Sequence, residues 1–370
     1  MKIGVITYWY STENYGQILQ CFALQRFLRD MGHSVFLIKY RPRSYTIPHM
    51  RFRDFAFSAL KLLYLLNKDN LRMSLRFRRM SSRSTGGGTY RHFDKFIDKY
   101  IMSTDCEYDQ HSLYDCPPEA DIYITGSDQV WRMPDSCYFL DFVPKEKGRV
   151  AYAPSFGTDR LPWIFKRIIK KYLSKFDIVT VREKTGINIC SYVGRDDAKL
   201  VPDPVFLLNA DVYDKLIPSD KSVGSDYVFV YLLGNKIDLE VSQIDVWAQR
   251  HNLRIKYVAS CGADMCKSLT PSIEEWLALI RNAKYVITNS FHGMAFSILF
   301  NRQFTVIPLS EEFSRMNDRI YTVTENLGIS SRVYNGNLDC ITDVIDYIRI
   351  NKLLAEQRND IRQMFETYFV

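Results

Sequence analysis

The sequence lacks any run of about 18 uncharged apolar residues, the length that a helix needs to cross a bilayer. The apolar stretch at residues 1–7 is too short for a signal peptide, and the acidic Glu13 follows it closely. These absences argue against a membrane-spanning helix and against secretion. We therefore expect a cytoplasmic protein.

Cysteine pairs and metal-ligand spacings are also missing. The chain has eight cysteines but no C-x-x-C motif, and the closest pair, Cys261 and Cys266, has no histidine or further cysteine at zinc-binding spacing. No G-x-G-x-x-G motif follows the first predicted strand, so the usual sign of a dinucleotide cofactor is absent. The sequence thus predicts reduced thiols, no metal site and no cofactor.

What is present is an ordinary globular composition, with 46% hydrophobic and 25% charged residues in a chain of 370. Short continuous apolar segments alternate with segments of helical periodicity, which is typical of an α/β protein whose parallel strands are buried on both faces. The predicted strands are residues 2–8, 34–40, 121–125, 149–154, 177–181, 199–201, 227–233, 254–259, 285–288 and 303–307. The main predicted helices are residues 16–32, 238–250, 272–282, 318–327 and 341–369.

This length and this alternation predict two Rossmann-like domains that face each other across a cleft, with ligands at the carboxyl ends of the strands. We assign residues 1–215 to the first domain and residues 216–340 to the second, because the polar segment near their junction includes Pro218 and Gly224. The last helix, within residues 341–370, could return to the first domain.

Residues 41–90 interrupt the alternation and are strongly basic. Between Arg41 and His92, twelve basic residues against two acidic ones give a local charge of +10, so the rest of a chain of net charge +7 carries −3. The apolar pattern at residues 52–66 with basic flanks suits an anionic membrane surface. An insertion that packs on its own domain or on a second subunit explains it equally well. No nucleic-acid motif accompanies the charge, so nucleic acid is not expected as a partner.

Polar residues follow several predicted strands at the edge where such sheets bind ligands. The strand at residues 285–288 leads through Asn289 and Ser290 into a helix that begins near His292, and a helix N-terminus favours anions. Histidine is the side chain that ordinarily titrates nearest neutrality, so His292 is the candidate acid or base. A histidine at such a junction can also be a helix cap or a core residue.

Six stretches carry a family resemblance that extends over roughly residues 3–335. They are Asn14-Tyr15-Gly16, Gly126-Ser127-Asp128-Gln129-Val130-Trp131, Ser155-Phe156-Gly157, Val181-Arg182-Glu183, Asp203-Pro204-Val205 and Ser290-Phe291-His292-Gly293. In these stretches and their order the sequence resembles the polysaccharide pyruvyltransferase family. The Gly-Ser-Asp-x-x-Trp and His-Gly stretches are the most specific, and the basic insertion is not part of the resemblance.

The resemblance implies a fold similar to that of the B-type glycosyltransferases and an enzyme of bacterial capsule or exopolysaccharide biosynthesis. Phosphoenolpyruvate would donate its three-carbon unit to two hydroxyls of one sugar, giving a cyclic ketal and phosphate. The donor's phosphate and carboxylate need cationic groups and a helix start, and its enol needs a general acid. The implied roles are catalysis for His292, donor binding for Arg182, Ser290, Gly293, Arg319 and Arg315, and acceptor binding for Asn14, Tyr15, Ser127, Asp128 and Trp131.

One position departs from the family pattern. Many members carry arginine two positions before the histidine, where this chain has Ser290. The anion contact of that arginine must come from elsewhere, and Arg319 and Arg315 are the candidates. Trp131 is the other open assignment, because core packing explains a tryptophan there as well as a sugar contact does.

Two other functions fit the same residues. A nucleotide-sugar glycosyltransferase of the same architecture would need an acidic residue for the ribose, and Glu311 or Glu312 could supply it. A non-catalytic module could instead bind lipid-linked sugars through the basic insertion. If the acceptor is a lipid-linked oligosaccharide, we expect the protein at the periphery of the inner leaflet.

Overall fold

The computed structural model describes residues 1–42, 91–218, 224–234, 239–260 and 268–369. Most of the basic insertion, with its predicted membrane contact at residues 52–66, lies outside these residues. Cys261 and Cys266 also lie outside them, as do the side chains of Glu311 and Glu312.

The described residues form ten strands in two sheets. They are β1 Lys2–Ile6, β2 Ser34–Leu37, β3 Ile122–Thr125, β4 Gly148–Ala151, β5 Ile178–Val181, β6 Lys199–Leu200, β7 Tyr227–Leu233, β8 Arg254–Ser260, β9 Tyr285–Thr288 and β10 Gln303–Val306. The first sheet has the order β2-β1-β3-β4-β5-β6 and the second the order β10-β9-β7-β8. Every strand pair is parallel.

Helices connect these parallel strands. They are α1 Tyr15–Asp30, α2 Phe93–Tyr100, α3 Gln110–Asp115, α4 Trp163–Leu173, α5 Lys184–Tyr192, α6 Ala210–Asp214, α7 Val241–Arg250, α8 Ile273–Asn282, α9 Phe291–Leu299, α10 Asp318–Asn326 and α11 Tyr347–Tyr368. Short 3₁₀ helices cover Pro204–Leu207, Glu311–Met316, Ser330–Arg332 and Asp339–Thr342. Among the helices that the structure describes, none combines the length and the apolar character that crossing a bilayer requires.

The inner strands of the first sheet are apolar because both of their faces are buried. All four residues of β3 are buried, and so are the last four of β1. In a parallel sheet covered on both sides, both faces of a strand need apolar side chains, so the sequence shows a continuous apolar run rather than an alternating one. The predicted α/β class with two Rossmann-like parallel sheets is confirmed.

The two sheets share one continuous core, in which α1 is the central contact. Tyr15, at the start of α1, stacks on Trp276 of α8 with ring centroids 4.9 Å apart. Its hydroxyl donates a hydrogen bond of 2.7 Å to the carbonyl of Pro271. An aromatic pair with a satisfied hydroxyl is a favourable buried contact. The first residues of α1 therefore join the two sheets.

The last helix begins at Tyr347 rather than at residue 341, because the Asp346 side chain accepts a hydrogen bond from the Arg349 backbone N–H and caps the helix there. Near its end, Phe365 packs against Phe27 of α1 and against Tyr152, the residue after β4, so the helix contacts the half of the molecule that contains the first sheet. The division of the chain at residues 215 and 340 stays a prediction.

Candidate functional site

Three segments that follow strands of the first sheet converge on Arg182, the residue after β5. Arg182 Nη1 donates a hydrogen bond of 2.7 Å to Asp203 Oδ2, and its Nη2 lies 3.4 Å from Asp128 Oδ1. The Ser127 hydroxyl lies 3.1 Å from the same Asp203 oxygen. Because carboxyl ends of parallel strands meet at one edge of a sheet, residues distant in sequence become neighbours here.

The Arg182 side chain is completely buried and is surrounded by carboxylates. Burial alone would lower its pKa, but Asp203, Asp128 and Glu183 outweigh that effect and raise it. Its Nε, 3.6 Å from Glu183 Oε2, is the one guanidinium nitrogen without a hydrogen bond. Arg182 thus offsets part of the charge of the three acidic residues and holds the strand ends together.

Glu183 connects this cluster to the Ser155-Phe156-Gly157 stretch. Its Oε1 accepts a hydrogen bond of 3.2 Å from the Phe156 backbone N–H. Burial raises the pKa of Glu183, and the lowering effects of Arg182 and Ser155 do not fully compensate. Two of the stretches found in the sequence therefore contact each other through this carboxyl group.

The second sheet contributes His292, in the first turn of α9. Ser290 caps this helix by accepting a hydrogen bond from the Gly293 N–H, and Thr288 Oγ1 accepts one of 3.0 Å from the Ser290 N–H. A Cβ on Gly293 would lie 2.5 Å from Thr288 Oγ1, so only glycine fits there. These local contacts explain why the chain turns from β9 directly into a helix that presents His292.

His292 and Asp203 form a pair between the two halves of the molecule. His292 Nε2 is buried, has no hydrogen-bond partner and lies 3.8 Å from Asp203 Oδ1. Burial alone would raise the pKa of Asp203, but His292 and Arg182 outweigh it and lower that pKa well below its usual range. Asp203 is therefore an ionised, fully buried carboxylate next to an imidazole. Catalytic hydrogen bonds are often long before substrate binds, so this distance suits an acid–base group.

The backbone of Gly16 lies against the Nδ1 edge of the His292 imidazole. A Cβ built on Gly16 would lie 1.9 Å from His292 Nδ1 and 2.0 Å from its Cγ, so any side chain there would collide with the ring. Asn14 starts the helix by accepting a hydrogen bond of 3.3 Å from the Gln17 N–H. The Asn-Tyr-Gly stretch thus brings the backbone of α1 into contact with the histidine of α9.

Arg319, in the first turn of α10, is the second cation of the site. The guanidinium groups of Arg182 and Arg319 lie 5.2 Å and 5.6 Å from the centre of the Phe291 ring. Arg319 is partly exposed, but its Nε is buried without a partner. Burial and the nearby Arg182 lower the pKa of Arg319 to about 10, because its charge is poorly compensated. An anion bound next to Arg319 would supply that compensation.

The model of the polysaccharide pyruvyl transferase family matches residues 14–311 of this sequence. The chain belongs to the polysaccharide pyruvyl transferase family. The matched region includes all six stretches that carry the resemblance, among them the segments of Gly16, Asp203 and His292. No curated protein matches the sequence.

Several solved structures are similar in overall shape at low identity. The UDP-GlcNAc 2-epimerase of Methanocaldococcus jannaschii, in complex with UDP-GlcNAc and UDP, has a TM-score of 0.49 and 11% identity over 99% of this chain and 100% of that one. The UDP-N-acetylglucosamine 2-epimerase of Rickettsia bellii has a TM-score of 0.45 and 12% identity over 100% and 96%. A glycosyltransferase from Streptomyces sp. SF2575, complexed with thymidine diphosphate, has a TM-score of 0.39 and 10% identity over 99% of both chains.

In this member of the pyruvyl transferase family, two residues assigned to the acceptor from the resemblance lie in the core. Trp131 is 1% exposed, stacks on Phe139 with centroids 4.9 Å apart, and donates from Nε1 to the Tyr138 carbonyl. Tyr15 is fully buried between the two sheets. Neither ring has a face open to a sugar, because aromatic neighbours already cover them.

Two other predicted site residues, Asp128 and Arg315, differ in how far they are buried. Asp128 is nearly buried and has a left-handed backbone, with φ of 69°, and its Oδ2 accepts a hydrogen bond of 3.4 Å from Gln17. Arg315 is exposed, with its Nε 3.7 Å from Asp159 Oδ1. The acceptor role of Asn14 and Asp128 and the donor role of the arginines stay predictions.

Sequence reasoning assigned no contact to Gly16, Asp203 or Gln20, although all three support the site. Gln20 accepts a hydrogen bond of 3.1 Å from the Ser127 N–H and donates one of 3.0 Å to Thr7 Oγ1. For Asp203 a signal existed, since an aspartate in the loop that follows a parallel strand lies at the ligand edge of the sheet. Gln20 lies inside an amphipathic helix and has no such signal.

Among the described residues, no group of three or more His, Cys, Asp and Glu side chains is arranged to hold a metal ion. The carboxylates that meet at this edge are those of Asp128, Glu183 and Asp203, and Arg182 lies between them. The groups present at this edge, an imidazole, carboxylates and guanidinium groups, offer acid–base and electrostatic chemistry.

Proposed function

We propose that this pyruvyl transferase family member moves the pyruvyl group of phosphoenolpyruvate onto two hydroxyls of one sugar, forming a cyclic ketal in bacterial surface polysaccharide biosynthesis. The observation that carries the proposal is the environment of His292. The imidazole starts a helix, lies next to the ionised Asp203 and has Gly16 of the opposite half against its other edge. An imidazole held in this way between the two halves of the molecule suits a proton donor.

The donor site of the proposal is built around Arg319. Phosphoenolpyruvate carries a phosphate and a carboxylate, and it needs a cation that is not already neutralised. Arg182 lies within 3.6 Å of three carboxylates, whereas none of the carboxylates that the structure describes forms an ion pair with Arg319. The N-terminus of α9 next to Phe291 adds backbone N–H groups and a positive dipole end. Arg319 then takes the place of the arginine that many family members have where this chain has Ser290.

In the proposed reaction, His292 gives a proton to the methylene carbon of phosphoenolpyruvate, and an oxocarbenium ion forms at the neighbouring carbon. The first sugar hydroxyl adds to that carbon and loses its proton to the neutral imidazole. The carbon–oxygen bond to phosphate then breaks, and the second hydroxyl adds. The proton of the first hydroxyl restores the one that His292 gave to the methylene carbon. The proton of the second hydroxyl leaves with the released phosphate. Asp203 stabilises the imidazolium by its negative charge whenever His292 carries the proton.

Asn14 and Asp128 are our candidates for the acceptor side. Asp128 lies at the carboxyl end of β3, near the start of α1, and carboxylate oxygens are good acceptors for sugar hydroxyls. Tyr15 and Trp131 are not part of this proposal, because both are buried.

Donor binding tests the proposal without knowledge of the acceptor. In calorimetric titrations we expect phosphoenolpyruvate to bind, and UDP and GDP not to. Arg319→Gln should weaken binding, whereas Arg315→Gln, which removes an exposed cation, serves as the control. Binding of a nucleotide but not of phosphoenolpyruvate would overturn the proposal in favour of a nucleotide-sugar transferase. His292→Ala should keep donor binding and lose turnover with an acceptor sugar.

A further inference from the structure

One face of helix α4 carries an unusual set of exposed side chains. Trp163, Lys166, Arg167, Lys170 and Lys171 are all exposed, and their spacing puts them in one stripe along the helix. The opposite face, with Phe165, Ile169, Tyr172 and Leu173, is buried in the core of the first sheet. Tyr192 of α5 extends the stripe, with Lys166 Nζ 3.8 Å from the centre of its ring. We call these six residues the basic aromatic face.

The charge of this face is of one sign. Helix α4 contains no Asp or Glu, and within the part of the chain that the structure describes, none of its four cations in the stripe pairs with a carboxylate. Lys170 and Lys171 also complement the negative end of the helix, but Lys166 and Arg167 lie too far from that end to do so. A helix that is merely solvated usually mixes both signs, and this one does not.

Trp163 is the most informative member of the face. It is 81% exposed, whereas the other four tryptophans of the chain, Trp9, Trp131, Trp247 and Trp276, are buried. Tryptophan is favoured where one end of a side chain meets hydrocarbon and the other meets water, which is the boundary region of a bilayer. An exposed tryptophan in a row of cations is the pattern of a helix that lies on an anionic membrane surface.

We propose that the basic aromatic face docks this protein on a bilayer that contains anionic phospholipid. Trp163 enters the headgroup region, and the four cations of α4 contact lipid phosphates. The occupant is a lipid surface rather than an acidic protein or a nucleic acid, because the tryptophan supplies apolar area that a charged polymer would not use. This face lies outside the basic insertion, and the proposal does not depend on that segment.

The position of the face gives docking a use. A helix that follows a parallel strand begins at the ligand edge of the sheet, so Trp163 lies at the end of α4 nearest to that edge. The segment that leads to Trp163 contains Phe156, whose backbone N–H donates a hydrogen bond to Glu183. It also contains Asp159, whose Oδ1 lies 3.7 Å from Arg315 Nε. A docked protein would present this edge to a lipid-anchored acceptor. That last step rests on the proposed function, whereas docking itself does not.

Vesicle flotation of the full chain tests docking without any substrate. We expect binding to phosphatidylcholine vesicles that contain phosphatidylglycerol, little binding to pure phosphatidylcholine, and loss of binding as salt rises from roughly 0.1 M to 1 M. The triple change Lys166→Gln, Lys170→Gln and Lys171→Gln should lower the partition coefficient roughly 100-fold. The control with equal charge loss, Lys95→Gln, Lys145→Gln and Lys352→Gln, changes exposed lysines elsewhere and should retain binding.

Brominated lipids provide a second readout, because they quench only tryptophans that enter the bilayer. We expect quenching in the wild-type protein and none in Trp163→Phe. The proposal is overturned if the wild type does not bind anionic vesicles, or if both triple variants lose binding equally. Vesicle binding without quenching would place the contact elsewhere and also refute it. If the protein binds heparin as tightly as it binds anionic vesicles, and if Trp163→Ser changes neither affinity, the face binds a polyanion and not a lipid surface.

Discussion

Gly16 and His292, which belong to opposite halves of the molecule, are so close that no Cβ fits between them. The contact places the backbone of α1 against the Nδ1 edge of the imidazole, while Asp203 lies near its Nε2. The position of the ring therefore depends on both halves at once. A catalytic group fixed in this way loses little entropy when substrate binds.

We expect Gly16→Ala to displace His292 and to lower turnover roughly 100-fold, which is the usual effect of moving a catalytic group by about 1 Å. Overpacking should also lower the free energy of unfolding by about 1–3 kcal/mol, although alanine is otherwise the better helix former. Steady-state kinetics and urea unfolding measure the two effects.

The double variant Gly16→Ala with His292→Ala provides the control. With the imidazole removed, the new methyl group has room, so the double variant should be at least as stable as His292→Ala alone. A loss of stability from Gly16→Ala that is the same in both backgrounds would mean that the two residues do not interact.

The second prediction concerns Asp203. Because the folded protein lowers the pKa of this carboxyl, its stabilising effect is present above the unfolded pKa near 3.9 and is lost as pH falls below it. Asp203→Asn should cost about 3–5 kcal/mol near neutral pH, since it breaks a buried pair with Arg182. The difference in the free energy of unfolding between wild type and variant (the stability gap) should become smaller as pH falls below about 4.

Urea unfolding of both proteins as a function of pH measures this gap. The raised pKa of Glu183 has the opposite effect, because that residue costs stability as pH rises above about 4. This contribution occurs in both proteins and largely cancels in the difference. A gap that does not change with pH would show that Asp203 stabilises the fold by packing and not by charge.

Part of this site could be predicted from the sequence. Strand ends of a parallel sheet converge by topology, so Ser127, Asp128 and Arg182 could be placed at one edge before any contact was known. That Arg182 is buried among carboxylates could not be predicted, because it depends on the orientation of side chains from segments far apart. The contact of Gly16 with His292 is a close backbone approach between two halves, and periodicity carries no information about it.

The third prediction compares the contributions of Arg319 and Arg315 to donor binding. Arg319→Gln should weaken phosphoenolpyruvate binding roughly 10- to 100-fold, the range expected for a charge-assisted hydrogen bond. Arg315→Gln removes the same charge from an exposed position next to Asp159 and should change binding little. If the two substitutions weaken binding equally, the donor responds to the overall positive charge of this region and not to a direct contact with Arg319.

The fourth prediction tests the burial of Trp131. Trp131→Ala should lower the free energy of unfolding by about 3–5 kcal/mol, because it empties a packed site between Phe139 and Phe156. Trp131→Phe should cost less, since it keeps a stacked ring and loses one ring of the indole and the hydrogen bond to the Tyr138 carbonyl. Neither folded variant should change the KM for an acceptor sugar. A raised KM in the stable Phe variant would return Trp131 to the acceptor site.

The last prediction concerns a helix cap that crosses between the two halves. Asp318 Oδ2 accepts hydrogen bonds of 2.8 Å from both the N–H and the hydroxyl of Thr185, in the first turn of α5. Glu183, at the N-cap position of that helix, makes no capping hydrogen bond with its side chain. The helix that follows Arg182 is thus capped by the residue that precedes Arg319, so the cap connects the segments that carry the two arginines.

Asp318→Ala should therefore cost about 1 kcal/mol of stability, the usual value of a cap, and also weaken phosphoenolpyruvate binding, because Arg319 loses its adjacent anchor. Thr185→Val keeps the backbone N–H bond and should have a smaller effect on both. Lys184→Gln is the matched control, since it removes only the half-exposed ion pair with Glu325, and such pairs contribute roughly 0–1 kcal/mol. If Asp318→Ala lowers stability and leaves donor affinity unchanged, the cap is structural only and Arg319 is positioned by Phe291.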